Sequence, residues 1–321
     1  PGRTHIEGSE IAGEYARDPG RVLRYAGDDV RETRLLSGVL SRTYFAQTQM
    51  LPMTFQSVCV RGNAGKIDAL MLREYLRRRH AVPSPGAASQ FAGGATEVFV
   101  RGVVRNVHHC DVRSLYPSLM LARRIAPAGD DLGVFLQLLE FLRSFRLDAK
   151  KRMAGAADDA ARRHWESLQA AFKILINSFY GYLGFAQALF NDFDAAARVT
   201  AGGRALMADM LEWLRAHGAT PIELDTDGIY FVPPEFGPDG GRDRFRRGFE
   251  ASLPPGIEVE FDGEYESMFS YKMKNYALLE PGGGVIVRGA ALKSRGLEPY
   301  LRALLNEYVR LKLNGREAET P

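Results

Sequence analysis

Apolar residues recur every three or four positions along several stretches of the chain, the spacing that lines one face of a helix. The pattern predicts helices near residues 28–40, 67–79, 132–153, 159–179, 195–217 and 299–313. Between them, β-branched and alternating runs predict strands. These lie over residues 97–112, in a pair over 221–232 joined by a tight acidic turn, and near 257–261, 276–279 and 285–289. Gly155 and Asp158-Asp159 interrupt two long helical patterns, so the helices on either side fold back as an antiparallel hairpin. Pro83-Ser84-Pro85-Gly86 and Gly93-Gly94 mark a loop region. Helices and strands mix without regular alternation, which predicts an α+β fold rather than a doubly wound sheet.

Composition narrows the class. The 321 residues suggest about two domains. With 45% hydrophobic and 25% charged residues the chain can bury a sizeable core. No apolar run reaches the length of a transmembrane helix and the N-terminus has no secretion signal, so no membrane partner is expected; the reduced-looking cysteines point to a cytoplasmic protein. No Met opens the chain, as in a piece of a longer protein. Cys59 and Cys110 are too few for a disulfide framework or a four-cysteine zinc site, and both stand in apolar surroundings where buried thiols are common. Net charge is only +3, which does not by itself imply a nucleic-acid partner. Of 42 basic residues eight are Lys; the Arg- and Ala-rich usage reads as coding bias, and a bacterial source is expected.

The candidate chemistry is acidic. Asp111 ends an extended run, and Asp225 and Asp227 flank Thr226 at a hairpin tip. In a regular strand the last two would share a face. A hard dication such as Mg²⁺ needs one or two carboxylates plus phosphate and water oxygens, and two such ions can clamp a phosphoryl transfer. Alone, Asp-Thr-Asp-Gly reads as a turn. On the helix hairpin, Arg146 and Lys150 stand four apart, and Lys173, Asn177 and Tyr180 fall on one face of the second helix. Several cations in register suit a triphosphate, and a ring suits a base. Arg146 and Lys150 alone read as an ordinary solvated face.

Four segments carry a family resemblance. Asp111-Val112-Arg113-Ser114-Leu115-Tyr116-Pro117-Ser118 resembles the first palm motif of family B (alpha-like) DNA polymerases. Lys173 to Gly181 resembles their Lys-x-x-x-Asn-Ser-x-Tyr-Gly fingers motif, Asp225-Thr226-Asp227 their catalytic hairpin, and Lys274-Asn275-Tyr276 their Lys-x-Tyr motif. All four occur in the family's order. Phe91-Ala92-Gly93-Gly94 is similar to the Tyr-x-Gly-Gly loop, with Phe for Tyr. Tyr25 to Asp29 is similar to the last exonuclease motif, and reads equally as a helix N-cap.

The resemblance implies a right-hand polymerase fold. It has a mixed or antiparallel palm sheet, two-helix antiparallel fingers and a remnant of an exonuclease domain. Its implied boundaries are 1–50 for the remnant (with Tyr25 and Asp29), 51–131 for a linker and the first part of the palm, 132–181 for the fingers, 182–298 for the palm and 299–321 for the start of a thumb. Asp111, Asp225 and Asp227 would be catalytic, with Asp111, Asp227 and the Val112 carbonyl holding two Mg²⁺ ions, or Mn²⁺ in their place. Ser114, Leu115, Tyr116, Arg146, Lys150, Lys173, Asn177 and Tyr180 would bind the dNTP, Tyr116 excluding a 2′-hydroxyl. Gly93, Gly94, Lys274, Tyr276, Lys293 and Arg295 would contact DNA. The implied activity is DNA-templated DNA polymerisation, with primer-template DNA and dNTPs as partners and no processivity or repair factor identified. An inactive DNA-binding scaffold and a metal-dependent nuclease are the alternatives. The short stretch after Tyr276 fits a piece of a larger polymerase. Glu223 and Gly228 stand where many members have Tyr and Ser, so Glu223 is either a further acidic contact or points away.

Overall fold

A computed structural model describes residues 3–237, 240–293 and 296–315. The chain divides into two compact units, residues 1–81 with 141–178 and residues 82–140 with 179–321. Two is the number that length alone suggests. No described helix is long and apolar enough to cross a membrane.

The first unit is helical. After α1 (Ile11–Arg17), Asp18 caps the 30-residue α2 (Pro19–Thr48) by accepting the Arg21 N–H, with Pro19 pre-set at the first helical position. The helix therefore begins well before residue 28, and Tyr25 and Asp29 lie inside it rather than at a cap. Leu35, Leu36, Val39 and Leu40 of α2 are exposed. Then come α3 (Phe55–Val60) and α4 (Asn63–Arg77), which buries Ile67, Leu70, Met71 and Tyr75 at helical spacing. Cys59 is exposed, against expectation, because it falls on the outer side of the short α3; Cys110 is buried as expected.

The helices α6 (Val134–Ala154) and α7 (Asp159–Leu183) run through both units. In the first unit Phe145 meets Phe172 at 4.7 Å and Arg152 lies over Trp165; in the second Phe135 meets Phe179 at 5.0 Å. Partners ascend one helix as they descend the other, the antiparallel pairing that the sequence predicts.

The second unit is built on seven antiparallel strands: β1 (Thr96–Val98), β2 (Gly102–Val112), β3 (Thr220–Asp225), β4 (Gly228–Val232), β5 (Val259–Lys272), β6 (Asn275–Leu279) and β7 (Val285–Arg288). Their order is β1-β3-β4-β2-β5-β6-β7. One face packs on α5 (Leu115–Ala122), α8 (Phe193–Ala216) and α9 (Gly241–Ser252), around Cys110, Val112, Leu119, Leu206, Met210, Phe231 and Phe249. The other buries Val107, Ile222, Tyr230, Met268 and Tyr276. The short α10 (Ala290–Lys293) and α11 (Pro299–Asn314) cover Ala277 and Leu279. The segment expected to be strand only near residues 257–261 is a 14-residue strand, with Glu260, Glu264 and Glu266 turned to solvent at alternate positions.

Asp192 ties two parts of this unit together. One carboxylate oxygen caps α8 through the Ala195 N–H at 2.7 Å, and the other accepts the Ala128 N–H at 2.8 Å. Asp192→Ala is expected to cost about 1–2 kcal/mol, read as a lower urea midpoint with unchanged m.

Candidate active site

The site is assembled where β2 ends beside the β3–β4 hairpin. Cys110 and Val112 enter the core beneath α8, so strand alternation sends His109 and Asp111 to the opposite face. Asp111 pairs with Gly228 across the β2–β4 ladder, and the Val112 N–H donates to the Asp227 carbonyl at 2.8 Å. Asp111 and Asp227 are thereby fixed next to one another by backbone. Asp225 and Asp227 do not share a strand face as regular geometry would have it. Thr226 takes a left-handed φ of 56°, and the Asp227 N–H folds back on the Asp225 carbonyl. The turn divides the pair: Asp225 meets Lys274 Nζ at 3.1 Å, while Asp227 faces Asp111.

Electrostatics marks the facing pair. Burial first, then the charge of Asp227, pushes the Asp111 carboxyl up to about 7, and His109 opposes the rise. Asp227 keeps an exposed edge but is also raised, by loss of water around the carboxyl and then by Asp225. Among the described residues, neither carboxylate takes an ion pair or a hydrogen bond from another side chain. No group of three His, Cys, Asp or Glu among them is placed to hold a metal ion. Two carboxylates nevertheless suit a hard dication that keeps waters and takes phosphate oxygens as its other ligands, and the charge they leave unneutralised fits one.

Two features of this face were not singled out in the sequence. His109 donates from Nδ1 to Asp262 Oδ1 at 2.6 Å and stacks on Tyr230 at 4.2 Å. Its ring fills the space over Gly228, where a Cβ would lie 2.5 Å from Nε2. Gly228 is thus matched to His109. The signal was the two-residue offset of His109 from Asp111, which places both on one face.

Glu223, left open by the sequence, points away from the carboxylate pair. It is fully buried, and accepts the Lys274 N–H at 2.8 Å and the Ser270 hydroxyl at 3.3 Å. Burial raises its pKa. It thereby fixes the β5–β6 turn, where Lys274 has a φ of 58°, and sets the lysine side chain against Asp225 and Thr226. Tyr276, expected to contact DNA, is instead 5% exposed, its hydroxyl 3.0 Å from that of Tyr230. Its place in a strand facing the core leaves no phenol on the surface.

Beside the carboxylates, Ser114 turns the chain from β2 into α5 with a φ of 53°, Leu115 is buried, and Tyr116 is half-buried with its ring 4.4 Å from that of Tyr180. Gly94 packs on both sides of this corner: a Cβ there would lie 2.6 Å from the Tyr116 hydroxyl and 2.9 Å from Thr226. Arg204, on α8, donates to the carbonyls of Ala92 and Gly93 and holds that loop in place. Gly94 therefore packs against the floor of the site, while Gly93 is held through its carbonyl by Arg204. Lys293 is exposed at the end of α10, and Arg295 lies outside the described residues.

Arg146, Lys150, Lys173 and Asn177 belong to the first unit. There Lys173 and Asn177 stand exposed one turn apart on α7, while Leu175 and Ile176 are buried and Ile174 is 51% exposed. Lys150 is exposed and Arg146 half-buried on α6. Tyr25 is half-buried on α2, and Asp29 pairs with Arg3 at 2.7 Å.

Comparison with known proteins bears on the fold. The profile of DNA polymerase family B matches residues 128–227. DNA polymerase 1 of Pyrococcus abyssi is 26% identical over 324 residues, 89% of this chain and 42% of its own length. The DNA polymerase of Archaeoglobus fulgidus is 26% identical over 310 residues, 90% of this chain and 39% of its own. The chain thus spans less than half the length of these curated relatives. The solved structure of the family B DNA polymerase from the hyperthermophilic archaeon Pyrobaculum calidifontis superposes with a TM-score of 0.65 at 21% identity, over 99% of this chain and 48% of that one. The α+β polymerase fold expected from the motifs is the fold observed. These relatives are archaeal, so the expected bacterial source is not borne out.

Two outcomes follow from the site's packing and charge. Gly228→Ala is expected to destabilise by about 1–3 kcal/mol as His109 is displaced, and His109→Ala is expected to relieve most of that loss, read as a coupling energy in a double-mutant cycle. The Asp111 pKa is raised on folding, so its protonated form favours the native state at acid pH, and that contribution is lost as pH rises through about 7. In chelator at pH above about 7, Asp111→Asn is therefore expected to raise the melting temperature, with little effect near pH 4.

Proposed function

We propose that this chain is the polymerase core of a DNA-templated DNA polymerase, adding nucleotides from dNTPs to a primer 3′-hydroxyl with release of pyrophosphate. The observation that carries the reading is the backbone-enforced meeting of Asp111 and Asp227, with charge unneutralised, beside the Tyr116–Tyr180 corner. By this reading the sheet and helices of the second unit are the palm and its approach to a thumb. The α6–α7 hairpin is the fingers, and residues 1–50 are what the chain carries of an exonuclease-like domain.

Asp111 and Asp227 would hold divalent cations, Mg²⁺ or Mn²⁺, with the Val112 carbonyl close by; when bound, these supply Lewis-acid stabilisation of the charge that develops at phosphorus. The chain's own residues do the rest. Lys274 neutralises Asp225 and so keeps the hairpin tip from adding a third unpaired charge. The Tyr116 ring, clamped between Gly94 and Tyr180, offers a rigid floor for a deoxyribose. The backbone N–H groups of Ser114 and Leu115 lie at the start of α5, where an anion is favoured. Arg146, Lys150, Lys173 and Asn177 would grip the triphosphate, and Lys293 would contact the duplex backbone, which gives affinity without sequence preference. A nuclease or a scaffold would have no use for the tyrosine corner.

Primer extension tests this. Template-directed dNTP addition in Mg²⁺ is expected for the chain and is expected to fall by at least about a thousandfold in Asp227→Ala, with duplex binding retained. Extension that survives in the variant contradicts the assignment. Tyr116→Ala is expected to admit rNTPs; unchanged sugar discrimination in kcat/KM removes Tyr116 from that role.

A further inference from the structure

The first unit contains a buried cation that the polymerase reading does not use. Lys66, in the first turn of α4, is 4% exposed. Its ammonium carries three donors. It gives one to Gln47 Oε1 at 2.7 Å and lies 5.5 Å from the centre of the Tyr44 ring. Both partners are neutral. Burial lowers the Lys66 pKa, and the residue named as opposing that fall is Cys59, not a carboxylate. An unpaired buried ammonium is costly, and the start of a helix, where the backbone dipole is positive, is the worse end for it.

Lys66 lines an open groove of about 460 Å³ between α2 and α4. Thr43, Arg61 and Asn63 line it as well, and no Asp or Glu does. Arg61 is exposed and forms no ion pair among the described residues. The leading N–H groups of the 15-residue α4 have no carbonyl in their own helix to donate to. The Asn63 amide already donates to the Ser178 hydroxyl at 2.9 Å, and Val39, Leu40 and Ile174 line the apolar side. Two cations, the Thr43 hydroxyl and the leading backbone donors of α4 around a recess with no acid match the several acceptor oxygens of a phosphoryl group.

We propose that this groove is an anion site for phosphoryl oxygens, with Lys66 as its buried anchor and Arg61 at its rim. The anion completes the charge balance that the protein lacks there. The ligand chemistry has two sources, a nucleic-acid backbone or a free phosphate monoester, and the site does not rest on the polymerase reading.

The test is thermal unfolding of the full chain in inorganic phosphate against chloride at equal ionic strength, repeated with an oligothymidylate that carries no terminal phosphate. Wild type, Lys66→Met and Arg61→Ala are compared. At least one of the two ligands is expected to raise the wild-type midpoint. That rise is expected to vanish in Lys66→Met, and Arg61→Ala is expected to weaken the apparent affinity about tenfold. A response to phosphate alone assigns a free phosphate or monoester; a response to the oligonucleotide that is lost with Lys66 assigns a nucleic-acid backbone. No response in the wild type, or one of equal size in all three proteins, overturns the site and leaves Lys66 as a tie between α2 and α4. If Lys66→Met does not fold, Arg61→Ala decides: an unchanged response overturns the proposal. Primer extension by the same wild-type sample separates this outcome from that of the polymerase assignment.

Discussion

The second unit depends on holding two like charges together. Asp111 lies in β2 and Asp227 in the β3–β4 turn, distant in sequence, and the hydrogen bond from Val112 to the Asp227 carbonyl leaves them no room to separate. Their repulsion, strengthened by burial, opposes folding whenever both are ionised. The antiparallel sheet overcomes it with cores on both faces and a ladder that runs through the site. A stable scaffold here supports a locally unfavourable cluster, the usual sign of a site kept for chemistry rather than stability.

The surroundings of the pair are correspondingly specific. Ser114, Thr226 and Lys274 all adopt left-handed backbone conformations that ordinary side chains avoid, and all three flank the carboxylates. Each is held by a nearby contact: Ser114 by the start of α5, Thr226 by the Ala95 carbonyl, and Lys274 by Glu223. Gly94 and Gly228 supply the two places where only a bare Cα fits, against Tyr116 and Thr226 in one case and His109 in the other. Glu223 illustrates the division of labour. Although it stands two residues from Asp225, it acts as a buried structural acceptor and leaves the carboxylate pair itself untouched.

Much of this was legible in the sequence. Helical periodicity identified α4, α6, α7, α8 and α11, and the Asp-Thr-Asp turn and the run ending at Asp111 marked both sides of the site. What the sequence concealed has physical reasons. The early start of α2 is set by the Asp18 cap and Pro19, in a polar stretch with little hydrophobic pattern. The length of β5 was hidden by charges at alternate positions, although that alternation is itself the mark of a half-exposed strand. Tyr276 looked like a surface ligand because its motif includes a lysine, but Tyr276 lies within β6 and faces Tyr230, while Lys274 stands before the strand in a left-handed turn that leaves its side chain outside. The pairing of Gly228 with His109 is a tertiary contact across two strands, which no local pattern reveals.

The measurement that tests the central claim most directly is Mg²⁺ titration by calorimetry at a pH near 7, in buffers of differing ionisation enthalpy. If Asp111 is held partly protonated by Asp227 and by burial, Mg²⁺ binding releases a fraction of a proton per site, and both the binding and the release disappear in Asp111→Asn. Mg²⁺ that binds equally well to the variant, or binds without proton release, contradicts the account.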